Sequence, residues 1–165
     1  MIIKGIKNTL ITLILLLATN VVEAGIQKKE LSEQIEHSRL IKQGQAKQIV
    51  LEQLPLTEQQ SQIFWPIYEN YKTEMESLNS RLLKIITQYA KHYNANDLDE
   101  KKGLQLLEKS FAIEVDRINI KRKYVKIFKK QLPAKIVARF FQIDNKIEAL
   151  IKYGLSKEVP LIPTR

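Results

Sequence analysis

At 165 residues, with 27 Lys and Arg against 18 Asp and Glu, the chain carries a formal charge of +9 at pH 7 and contains no cysteine. That length suits one domain, the lack of cysteine excludes disulfide frameworks and cysteine-borne lipids, and the positive balance favours anionic partners. With only His37 and His92, and no G-x-S-x-G, H-E-x-x-H or phosphate-cradling glycine loop, the residues offer no catalytic centre, no metal site and no cofactor site.

The opening stretch, MIIKGIKNTLITLILLLATNVVEAG, sets Lys4 and Lys7 ahead of a charge-free run from Asn8 to Val22 and ends in Val22-Glu23-Ala24. This is the pattern of a secretory signal over residues 1–24, cut after Ala24. Its apolar centre, Leu10 to Ala18, is short for a membrane span, which needs about 20 residues. Cleavage there removes Lys4, Lys7 and Glu23 and lowers the formal charge to +8. An exported chain without disulfides must be held by its apolar core or by a partner chain.

Glycine and proline are scarce from residue 27 to 153, and apolar residues recur at three and four, so an all-α chain of four helices is expected. The first, Leu31 to Leu54, is diluted by Gln and Lys and carries Gly44 inside it, at a cost of about 1 kcal/mol relative to alanine. The second has the clearest seam, formed by Phe64, Ile67, Tyr71, Met75, Leu78, Leu82, Ile85 and Tyr89. Thr57 can cap it, with Gln60 placed to reach back to the cap. Pro66, directly behind Trp65, removes the bond to the Gln62 carbonyl and predicts a bend there.

NANDLDE, residues 94–100, breaks the pattern, and either Asp97 or Asp99 can cap a third helix from about Leu98 to Gln131. Leu104, Leu107, Phe111, Ile118, Val125 and Phe128 line one side of that helix. Lys121, Arg122, Lys123, Lys126, Lys129 and Lys130 load its end with more positive charge than a cap requires. Pro133, after Leu132, fits the first position of a fourth helix bearing Ile136, Val137, Phe140, Phe141, Ile147, Leu150 and Ile151. Gly154 can end it, which closes a helical domain over 25–154 and leaves 155–165 as an extended or disordered tail. Two of these helices are long enough to form an elongated antiparallel hairpin-like arrangement whose exposed seams predict a homodimer.

Leu56 superposes on Leu132, and the same shift brings Phe64 onto Phe140, Trp65 onto Phe141 and Ile67 onto Ile143. The first copy, LTEQQ (Leu56 to Gln60), resembles the L-T-x-x-Q signature that opens two helices in the Spy and CpxP group of small periplasmic proteins. LPLTEQQSQIFWPIYENY together with QLPAKIVARFFQIDNKIEALIKY is similar to an uncharacterised branch of that group, over roughly residues 30–153. The second copy departs from the signature, with Pro133 for Thr and Ile136 for Gln. The resemblance implies a thin, curved, interlocked antiparallel homodimer that cradles unfolded proteins on a basic, partly apolar face without ATP. CpxP-like relatives instead dock on the sensor domain of an envelope-stress kinase.

Within that frame Lys121, Arg122, Lys126, Lys129 and Lys130 are the residues expected to attract clients, and Trp65 and Phe141 those expected to give apolar contact. Long-range charge would speed encounter and shallow apolar contacts would hold a loose chain weakly. The alternatives are a regulator with one folded partner and a structural envelope protein. Residues 121–152 hold ten Lys or Arg against Asp144 and Glu148, a balance that could track phosphates. Export argues against nucleic acid, whereas weak contact with an anionic membrane surface fits, at about 1 kcal/mol per basic residue.

Overall fold

The computed structural model describes residues 44–162, with Lys157 and Glu158 in backbone only. The expected signal segment 1–24, residues 31–43 of the first predicted helix and the last three residues lie outside the described residues. The chain divides into two units, Met1–Gln48 and Ile49–Arg165. Of the first unit only residues 44–48 are described, and they are helical.

The described residues are all-helical, with four helices and no strand. They are α1 (44–53), α2 (Glu58–Asn94), α3 (Glu100–Lys129) and α4 (Ala134–Glu158). At 1.5 Å per residue α2 and α3 measure about 55 and 45 Å.

Each boundary has a local cause. Thr57 is the N-cap of α2, and its hydroxyl accepts from the Gln60 N–H at 3.2 Å while the Gln60 side chain accepts from the Thr57 N–H at 3.0 Å. This reciprocal box satisfies two donors that the first turn leaves free. Asp99, rather than Asp97, caps α3 by accepting from the Lys102 N–H at 2.8 Å. Asp97 instead faces His92 at 2.7 Å and Lys102 at 3.3 Å, and Asn96 takes the left-handed conformation, φ 51°, that turns the chain between α2 and α3. Pro133 sits one position earlier than expected, at the N-cap of α4, which has no side-chain cap bond because proline offers no acceptor.

The expected end of α4 at Gly154 is corrected by the structure, and with it the start of the tail at 155. Gly154 stays helical, no described glycine has positive φ, and α4 continues to Glu158. Leu155 is half-buried, so the extra turn still has surface to cover, and Pro160 ends the run because it cannot extend a helix. The segment after Val159 folds back: the Tyr89 hydroxyl donates to the Pro160 carbonyl at 2.7 Å, and a Cβ placed on Gly103 would lie 3.1 Å from Ile162 Cδ1.

Within the second unit, α2 and α3 are antiparallel neighbours, since Phe64 meets Phe128, Glu74 meets Lys123 and Arg81 meets Asp116. Helix α4 runs back along α3, with Phe140 on Phe128, Glu148 on Arg117 and Lys152 on Glu114. The core unites Phe64, Tyr68, Tyr71 and Met75 of α2, Tyr124 and Phe128 of α3, and Leu132, Val137, Phe140 and Ile143 around and within α4, with Val50 and Leu54 beside them. Phe64, Phe128 and Phe140 are fully buried.

The buried side of α3 differs from the expectation. Gly103, Leu106, Ile113, Arg117, Tyr124 and Phe128 face inward. Leu104, Leu107, Phe111 and Ile118, grouped with Phe128 on one side by their spacing, are exposed while Phe128 is buried. Both sets recur with a helical period, so periodicity alone does not choose between them. Leu150 of α4 is exposed as well.

Helix α2 passes through Pro66 as one helix. Pro66 and Gln62 are both exposed, so water can take the carbonyl bond that proline leaves unmade. Phe140→Ala is expected to cost about 3–5 kcal/mol in urea unfolding followed by circular dichroism. In the same assay Pro66→Ala should stabilise by about 1–3 kcal/mol, since alanine restores that bond without adding strain.

Candidate interaction surface

Residues 121–143 contain eight Lys or Arg and no Asp or Glu, and the fold sorts these cations into two groups. Lys121 and Lys123 are held by acids on neighbouring helices. Lys121, 16 % exposed in its side chain, meets Asp144 at 3.0 Å and also Glu148, and donates to the Asn145 side chain at 2.7 Å. Lys123 pairs with Glu74, which also accepts from the Tyr124 hydroxyl at 2.8 Å. Burial, with that acceptor carboxylate, pushes the Tyr124 hydroxyl up to about 12.

Arg122, Lys126, Lys129 and Lys130 form the other group. All four are exposed and make no ion pair among the described residues. Lys135 and Arg139, at the start of α4, add two exposed cations, and Arg139 donates to the Gln53 carbonyl at 2.7 Å. Neither stands out in the sequence pattern, although both lie in the same acid-free stretch.

The two candidate aromatic residues occupy different sides. Phe141 is half-buried, its ring 4.8 Å from that of Phe140, 5.9 Å from that of Tyr71 on α2 and 6.2 Å from that of Phe128 on α3. Trp65 is half-buried against Phe64 and Tyr68, edge-on at 5.1 and 5.3 Å. Glu74, which reaches α3, lies nine positions on, about 180° round the helix, so Trp65 faces away from the α3 cations. The structure therefore leaves Arg122, Lys126, Lys129 and Lys130 exposed at the end of α3, with Phe141 half-buried against Phe128 of the same helix. It holds Lys121 in the packing of α4 and sets Trp65 apart.

A charged layer under this surface fixes α4. Arg117, buried on α3, reaches Glu148 at 3.2 Å and donates to the Asn79 side chain of α2 at 3.1 Å. Lys152 meets Glu114 at 2.7 Å and Glu148 at 3.2 Å. The Tyr71 hydroxyl donates to Asp144 at 2.7 Å, and burial together with that carboxylate raises the Tyr71 pKa well above its ordinary value. The Arg117 Nε is buried without a hydrogen bond. Its charge is compensated by the carboxylates around it, an arrangement that fixes register more than it adds stability.

The outer face of α3 departs most from the sequence-based expectation. Leu104, Leu107, Phe111, Val115 and Ile118 are 45–58 % exposed and share one stripe, which runs on into Arg122, Lys126 and Lys129. Among the described residues no group of acids and histidines could hold a metal ion, and no helix is long and apolar enough to cross a membrane. No family model, curated protein or solved structure matches the chain.

Glu148 makes the charged layer testable. Burial alone would raise its carboxyl, but Lys121, Arg117 and Lys152 outweigh burial and hold it below the ordinary value of 4.5. A depressed folded pKa means that the unfolded chain takes up the proton first on acidification. The stability from this pairing is present above the ordinary carboxylate range and is lost as pH falls through the lowered folded value. The urea midpoint should drop between about pH 5 and 3. Glu148→Gln should be less stable at pH 7 and lose less on acidification, and equal acid loss in both proteins would remove Glu148 from this role.

Proposed function

We propose that this chain is a non-enzymatic, ATP-independent chaperone-like protein of the periplasm. It binds unfolded or misfolded envelope proteins through the basic end of α3. One observation carries the reading: Arg122, Lys126, Lys129 and Lys130, exposed and without an ion pair among the described residues, are collected at the C-terminal end of α3, the helix whose Phe128 packs on the half-buried ring of Phe141. Charge of one sign on a projecting surface raises the encounter rate with acidic segments, and a shallow apolar edge holds them without a deep pocket or fuel. The LTEQQ opening, with its Thr57–Gln60 box, supports a place beside the Spy and CpxP group, and the leader pattern of residues 1–24 supports export.

The test is light scattering of two unrelated aggregating clients, with and without the purified protein, at low and moderate salt. Suppression of both, weaker at higher salt, is expected. The triple variant Lys126→Glu, Lys129→Glu, Lys130→Glu should capture clients more slowly and with less dependence on salt. Suppression of neither client would overturn the chaperone reading in favour of a CpxP-like regulator that docks on one folded envelope sensor.

A further inference from the structure

The apolar stripe on the outer face of α3 and the cations at its end form one continuous surface. At 100° per residue, Leu104, Leu107, Phe111, Val115 and Ile118 lie within an arc of about 80°, directed away from Ile113 and Arg117 on the buried side. Arg122 and Lys129 fall in the same arc, and Lys126 stands just beyond its edge. The neighbouring helices take the other sides of α3: Asp116 and Lys123 reach α2, while Arg117 and Lys121 reach α4. Among the described residues the stripe is therefore the crest of a single helix and not the wall of a groove. Leu104 to Ile118 spans about 20 Å, and the five apolar side chains expose on the order of 500 Å², a size at which a patch is commonly functional.

We propose that α3 lies on an anionic lipid surface by this face, with Phe111, Val115 and Ile118 below the headgroups and Arg122, Lys126 and Lys129 among them. A folded partner would have to supply a groove that fits a convex helix, whereas lipid closes around a ridge without one. The basic residues also sit where such a contact needs them. Arg122 and Lys129 lie on the stripe itself, and Lys and Arg can lay their apolar stems along such a face while the charge rises to headgroup level. Neither they nor Lys126 make an ion pair among the described residues, so each can answer a lipid phosphate.

Charge also sets the tilt. Glu100 and Glu108 flank the stripe near its first turns, Glu114 at its rim is met by Lys152 at 2.7 Å, and residues 117–143 contain no acid. A negative surface therefore draws the C-terminal half in first and leaves Leu104 and Leu107 nearer the water. The sequence by itself points to the whole basic stretch 121–152, but Lys121, Lys123 and Lys152 are engaged by acids of neighbouring helices. The fold thus reduces the charged part of the contact and adds an apolar part that the basic stretch lacks. This contact does not depend on client binding, since its apolar residues are not those of the proposed client surface.

Co-sedimentation with vesicles, with no client present, tests this on the chain with its leader removed after Ala24, as export would leave it. Binding to vesicles of equal phosphatidylglycerol and phosphatidylcholine is expected, at least about tenfold tighter than to phosphatidylcholine alone and weaker at higher salt. Phe111→Glu and Ile118→Glu should each lower that affinity by about tenfold with unchanged helicity and melting, because both side chains are exposed in the folded chain. Leu150→Glu, an exposed position about 200° round α4 from Glu148, should leave it unchanged. In a Trp65→Phe background, Phe111→Trp should give fluorescence that shifts to the blue on anionic vesicles and is quenched by lipids brominated in the acyl chain. Absence of binding to anionic vesicles at low salt would overturn the proposal. So would binding that ignores both apolar substitutions, which would leave charge alone as its cause. A chain that ignores vesicles while Phe111→Glu abolishes its self-association, or its binding to another protein, would give the face to that partner and overturn the proposal as well.

Discussion

Three phenylalanine rings, one from each long helix of the second unit, hold the rest in place. Phe64 stacks on Phe128 at 5.2 Å, and Phe140 meets both, edge-on to Phe64 at 5.1 Å and tilted on Phe128 at 5.2 Å. Each such pair contributes about 0.5–1.5 kcal/mol beyond the burial of its area. Because the three rings touch one another mutually, no helix can rotate without breaking two contacts. Tyr68, Tyr71 and Tyr124 extend the cluster along α2 and α3. The position of the cluster also fixes where the charge goes. Lys126, Lys129 and Lys130 lie two before, one after and two after Phe128 in sequence, so once that ring points inward these side chains must point outward.

Beyond the phenylalanines the character of the packing changes. Tyr71 keeps its ring among the aromatics and its hydroxyl on Asp144, and from there α4 is held to α3 by charge: Lys121, Arg117 and Lys152 against Asp144, Glu148 and Glu114. Charge pairs of this kind contribute little net stability once desolvation is counted, but they penalise every register except one. A shift of α4 by one turn would break the 3.2 Å contact between Glu148 and the buried Arg117, whose other carboxylate neighbour, Glu114 of its own helix, is 3.7 Å away. The apolar cluster thus sets that the helices associate, and the charged layer sets how α4 lies along α3.

This division explains which parts of the molecule can be read from its residues. The Thr57–Gln60 box is local, closed within one turn, and local chemistry is legible without a fold. The α2 seam from Phe64 to Leu78 is legible because its apolar stripe is continuous and strong. Helix α3 carries two stripes of the same period, and the one that turns inward includes Gly103 and Arg117. A count of apolar residues discards both, although Gly103 admits the returning chain at Ile162 and Arg117 is the centre of the charged layer. The same limit hides the place of Lys121, since Asp144 and Glu148, the carboxylates that hold it, come from the next helix. Trp65 and Phe141 align in the repeat, yet tertiary packing turns them to different sides.

Helix propensity gives the outer face of α3 its meaning. An exposed position on a long helix is best filled by Ala, Glu, Lys or Gln, and Phe, Val and Ile there lose side-chain freedom against the preceding turn. In a single chain Phe111, Val115 and Ile118 bear that cost and return little of it in burial. Scattered exposed apolar residues are ordinary, but five of them in one arc, bounded by an acid at one end and a base at the other that make no ion pair among the described residues, form a patterned surface. The same helix that gives its inner face to the aromatic cluster therefore presents an apolar outer face, and Arg122, Lys126 and Lys129, which make no ion pair among the described residues, continue that stripe.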